Sequence, residues 1–65
     1  MEKECRDIVE NFINKYNGIF NNLDLYDLKN LFKNFIGKNN DLRVKKNQEM
    51  WYVVKKYYDN QKKGN

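Results

Sequence analysis

Chemistry in a folded chain needs side chains that attack, move protons or grip a ligand, and here the choice is narrow. The sequence has no His, Ser, Thr, Ala or Pro and a single cysteine, Cys5. That excludes serine–histidine and cysteine–histidine pairs and any threonine nucleophile. Without His, and with one Cys, a zinc site lacks its usual ligands. Gly18, Gly37 and Gly64 stand far apart, so no glycine-rich loop is available to cradle a phosphate. General acid–base work would rest on Asp, Glu, Lys or Tyr alone. The expectation is a binding protein rather than an enzyme, with no cofactor and no metal.

The pattern best suited to binding is tyrosine among lysines. On a helical wheel Tyr52 projects roughly 160–200° from the centre of its segment's apolar face, beside Lys45, Lys55, Lys56 and Asp59. Tyr26 also lies off an apolar stripe, with Lys29, Asn30 and Lys33 at i+3, i+4 and i+7. Such a surface suits an anionic partner, its rings stacking on bases or filling pockets. The plainer alternative is that single exposed aromatics carry no role.

Charge is distributed unevenly. Residues 1–40 hold six acidic and six basic groups, whereas residues 41–65 hold three acidic and seven basic, so the net +4 belongs to the last stretch. This could be a phosphate-binding footprint. It could equally be a solvated helix face in which Asp59 pairs with Lys55 and Lys63. Two features weigh against nucleic acid. Twelve Asn and eleven Lys match the bias of an AT-rich coding sequence, and only Arg6 and Arg43 supply the bidentate guanidinium that phosphate and guanine favour.

Three segments must position these groups. Residues 2–16 read as a first helix, and Met1, Cys5, Ile8, Val9, Phe12, Ile13 and Tyr16 fall in one arc of about 140° on its wheel. Asn17-Gly18 should stop this helix, with Gly18 as a left-handed cap. Ile19 and Phe20 should then tuck back over the core. Asp24 is a good N-cap for a second helix over residues 25–36, with Asp27 three residues on, and Gly37 closes it. Its stripe is Leu25, Leu28, Leu31, Phe32, Phe35 and Ile36. Beyond this helix Lys38-Asn39-Asn40 reads as a polar loop, and the polar–apolar alternation of Asp41-Leu42-Arg43-Val44 points to an extended segment or an early turn of the third helix. A third helix over residues 47–61, with Asn47 able to cap it, carries Met50, Trp51, Val53, Val54, Tyr57 and Tyr58 on its apolar face. Lys62 to Asn65 should form a mobile tail.

No stripe can be buried alone, so the fold expected is all-α, a compact three-helix bundle making one small domain. Helix-turn-helix would require a third helix starting at Asp41, since its turn is three or four residues. Phe12, Leu28, Phe32, Phe35 and Trp51 should be among the most buried residues, and Tyr57 and Tyr58 should keep their hydroxyls near solvent. Cys5 reads as a small buried hydrophobe, because Glu2 and Glu4 oppose a thiolate. A chain this short is marginally stable, so self-association or a partner is a natural source of support. No apolar run approaches the roughly 20 residues of a membrane span, no signal peptide is legible, and the unpaired cysteine fits a reducing, intracellular setting. The function expected is a non-catalytic protein-interaction module, such as a docking domain, inhibitor or small subunit. The alternative is nucleic-acid binding through the basic third helix. The partner-binding residues expected are Tyr26, Lys29, Lys33, Lys45, Tyr52, Lys55 and Lys56.

Overall fold

A computed structural model describes residues 1–64 and is all-α among them. The helices are α1 (Lys3–Tyr16), α2 (Leu25–Ile36) and α3 (Lys45–Lys63), with 3-10 turns at Asn17–Asn22 and Gly37–Asn39. They form the expected three-helix bundle, running up, down and up. Gln61 Nε2 donates to the Asn17 carbonyl at 2.9 Å, tying the C-terminal end of α3 to the end of α1. The start of α1 lies beside Asn47 and Met50 at the other end of α3.

The core is built on Phe12, whose spacing on α1 directs it at both neighbours. Its ring lies 5.2 Å from Phe32 and 5.3 Å from Phe35 in edge-on contacts, 5.1 Å from Tyr16 and 6.1 Å from Phe20. Phe32 in turn stacks at 6.0 Å on Trp51, closing α2 onto α3. Pairs of this geometry contribute about 0.5–1.5 kcal/mol each beyond the area they bury. They compensate for a chain with one cysteine, which stays free and buried. Phe12, Leu28, Phe32 and Trp51 are buried as expected. Phe35 is only partly buried, because it sits at the edge of the α1–α2 contact.

Several local readings are corrected. Gly18 is not a left-handed cap: Asn17 continues in right-handed geometry and the chain tightens into a 3-10 turn. Only Gly37 takes a positive φ among the described residues, 70°, where it ends α2. Of the Ile19–Phe20 pair only Phe20 is buried, because one 3-10 turn cannot direct two successive side chains inward. Leu25, Val53 and Tyr57 lie at the margins of their stripes and are largely exposed. Tyr58 is buried, and its hydroxyl donates to the Leu23 carbonyl ahead of α2. Asp24 caps as expected, its Oδ1 accepting from the Asp27 amide at 2.8 Å.

The third helix begins at Lys45 rather than Asn47 and extends to Lys63. Asn47 is not its cap. The residue is 2% exposed, and its side-chain amide donates backward to the carbonyls of Asn39 and of Asp41, the latter at 3.0 Å. A buried amide so used pins the connection, and Val44 precedes the helix with no side-chain cap. At the far end the Lys62 ammonium sits 4.7 Å from the Tyr58 ring centroid, which favours one more turn where a tail was expected. Asn65 lies outside the described residues. Residues 37–44 separate α2 from α3, too many for a helix-turn-helix turn.

Candidate binding face

The residues singled out as partner-binding occupy two neighbouring flanks. Phe32 on α2 and Trp51 on α3 meet across the seam between these helices. On the wheel, Lys29, Lys33 and Tyr26 lie within about 120° of Phe32, rotated outward. Lys55, Tyr52, Lys45 and Lys56 lie within about 140° of Trp51, also rotated outward. Because α2 and α3 run antiparallel, both sets border the outer side of one seam. Tyr26 is 73% exposed and Tyr52 58% exposed. Lys29, Lys45 and Lys56 are exposed, whereas Lys33 and Lys55 are half-buried.

Lys29 and Lys33 also share an open depression with Asn40, Asp41, Leu42 and Arg43. The α2 lysines therefore have the connecting segment as their other neighbour. Tyr26, Lys45, Tyr52, Lys55 and Lys56 do not line that depression. What shapes it is a motif that sequence reasoning passed over. The Asp41 carboxylate accepts from the Arg43 backbone amide at 2.9 Å, from Arg43 Nε at 3.1 Å and from Arg43 Nη2 at 3.1 Å. The signal was available: an Asp two residues ahead of an Arg in a polar loop is placed to form an Asx turn. The Arg43 side-chain hydrogen bonds hold the Asp41 carboxyl below its ordinary range, helped by the charges of Arg43 and Lys33. The same pairing raises Arg43.

This is the one ion pair among the described residues. The pairing of Asp59 with Lys55 and Lys63, one of the two readings of the basic helix, is absent there, as exposed pairs along a helix yield little over hydration. The lysines of both flanks thus have no ion-pair partner among the described residues and share these flanks with two exposed rings. Such a face can attract anions and fill apolar hollows. Around Asp41, however, a carboxylate interrupts the positive charge. Among the described residues no group of His, Cys, Asp and Glu could hold a metal ion, and no helix is long and apolar enough to cross a membrane. Comparison with family models, curated proteins and solved structures finds no match for this chain.

Proposed function

We propose that this chain is a small non-catalytic helical module that binds an acidic protein surface through the outer side of the α2–α3 seam. The observation that carries this reading is the exposure of Tyr26 and Tyr52, 73% and 58%, on helices whose neighbouring lysines have no ion-pair partner among the described residues. A ring held on a helix has little freedom to lose on binding, and tyrosines are enriched at binding hot spots. The lysines supply steering and a charged rim.

The second reading is nucleic-acid binding along α3. Its support is that α3 starts at Lys45 and ends at Lys63, which gathers Lys45, Lys46, Lys55, Lys56, Lys62 and Lys63 on one helix. The protein reading is preferred because the Arg43 guanidinium, 92% exposed, has the Asp41 carboxylate beside it, and that charge opposes a phosphate there. Asp41, and Glu49 and Asp59 on α3, would also oppose a polyanion.

The test uses Tyr52→Ala and Lys56→Ala in capture from native lysate, alongside gel shifts with DNA and RNA across a salt series. Both variants should melt like the parent, since both side chains are exposed. Retention of one acidic protein that is lost in Tyr52→Ala and only weakened in Lys56→Ala supports the first reading. Salt-steep binding to nucleic acid, with Lys56→Ala flattening the slope of log affinity by about one unit, would replace it with the second. Loss of folding in Tyr52→Ala would refute both.

A further inference from the structure

We propose that Asn17 is a spontaneous modification site, converting to aspartate and isoaspartate through a cyclic imide formed with Gly18, at a rate set by how often the corner between α1 and α3 opens. The site uses no residue of the α2–α3 seam and stands independently of the reading above. Of the twelve Asn in the chain, Asn17 alone precedes a Gly. A glycine nitrogen has no side chain beside it to obstruct attack on a neighbouring carbonyl carbon, and its backbone is the least restricted of any residue.

The chemistry needs only water. The Gly18 backbone nitrogen loses its proton to solvent base and attacks Asn17 Cγ. A bond forms between these two atoms and the Cγ–Nδ2 bond breaks. The departing nitrogen takes up a proton and leaves as ammonia. Water then adds to one or other carbonyl of the imide. Opening at Cγ leaves an aspartate, and opening at the main-chain carbonyl leaves an isoaspartate, with the chain rerouted through the side chain. Either product removes one unit from the net charge of +4.

The fold restrains the first step. Ring closure requires the Gly18 nitrogen to swing round to the side of Asn17 Cβ. Asn17 instead sits in right-handed helical geometry, φ −58° and ψ −29°, which turns that nitrogen away. Two hydrogen bonds hold it so. The Asn17 backbone amide donates to the Ile13 carbonyl, and Gln61 Nε2 donates to the Asn17 carbonyl at 2.9 Å. The second comes from α3, so this restraint lasts only while α3 is docked at the corner. The surroundings are otherwise open. Gly18 is exposed, a Cβ added there would meet nothing within 4 Å, and Asn17 and Gly18 share a depression with the uncharged Tyr57, Asn60 and Gln61. Solvent base therefore reaches the peptide once ψ rotates. An isoaspartate displaces the carbonyl that Gln61 grips, so the product loosens the corner that had delayed it.

The full chain, held in mildly alkaline buffer and sampled over time by peptide mapping with mass spectrometry, tests the proposal. Asn17 should be the first Asn to convert, giving separable aspartate and isoaspartate peptides. Gly18→Ala should slow the conversion severalfold and fold like the parent, since the space is open and Gly18 lacks the positive φ of Gly37. Gln61→Ala, still helical by circular dichroism, should convert about fivefold faster, the factor that one ordinary hydrogen bond contributes to keeping the corner shut. In denaturant the parent and Gln61→Ala should convert at one common rate, faster than the folded parent, because the restraint exists only in the fold. The isoaspartate fraction, once separated, should melt below the unmodified protein. Conversion that begins at another Asn, an unchanged rate in Gly18→Ala, a folded Gln61→Ala no faster than the parent, or a folded parent as fast as the denatured one would each overturn the proposal. An isoaspartate fraction that melts like the parent would overturn the loosening of the corner.

Discussion

Asn47 offers the sharpest test of how the connection between α2 and α3 is held. Its side-chain amide donates to two carbonyls of the connecting segment, those of Asn39 and Asp41, and the residue is 2% exposed. Replacing it with Ala removes both donors and leaves two carbonyls facing the gap. At about 1 ± 0.5 kcal/mol for each bond, the loss is about 1–3 kcal/mol, reduced by a few tenths because Ala is the better helix former. For a domain of this size each kcal/mol moves the melting temperature by about 4–8 °C. Asn47→Gly is the informative partner. Inside a helix Gly costs about 1 kcal/mol more than Ala, so the Gly variant should melt several degrees below the Ala variant. At an N-cap the order reverses, because Gly replaces Asn there at a cost of only a few tenths while Ala loses about 1 kcal/mol. Thermal melts of the three proteins, followed by circular dichroism at 222 nm, give the sign directly. An Asn47→Gly variant more stable than Asn47→Ala would show that α3 starts at Asn47 and that the amide does not pin the loop. An Asn47→Ala variant melting within about 2 °C of the parent would show that the two bonds contribute nothing net.

Two further outcomes follow from the core and from the loop. Phe32→Ala should lower stability by about 3–5 kcal/mol in denaturant titration, because Phe32 is fully buried and links the Phe12 cluster to Trp51; a variant within about 1 kcal/mol of the parent would contradict the placement of α2. Arg43→Ala should move the Asp41 titration upward toward its ordinary value near 3.8, read from the carboxyl carbon shift by NMR, because the Arg43 hydrogen bonds are the main cause of its depression. The sign follows from a folded-state pKa below the unfolded one: whatever this pair contributes to stability is present above the unfolded value and is lost as pH falls through the folded one. An unchanged Asp41 titration in the variant would refute the assignment.

Much of the fold was legible in the sequence because helical periodicity is local. The three apolar stripes, the Asp24 cap and the Gly37 stop each depend on residues within a turn or two, and α2 spans residues 25–36 as its pattern predicts. The same holds for the off-stripe positions of Tyr26 and Tyr52, which a wheel gives directly and which the structure leaves exposed. What the sequence could not decide were choices settled between elements. Whether Asn47 caps its own helix or holds the preceding loop depends on where the Asn39 and Asp41 carbonyls arrive once α2 has packed. The acceptor of the Tyr58 hydroxyl is the Leu23 carbonyl, distant in sequence and brought alongside by the bundle. Ile19 and Phe20 are adjacent and equally apolar, and only the handedness of the 3-10 turn over Phe12 buries one and exposes the other. Periodicity assigns a side chain to a face of its own helix. A polar partner far along the chain, or the margin of a packed stripe, exists only after the helices have met, so tertiary packing alone decided those residues.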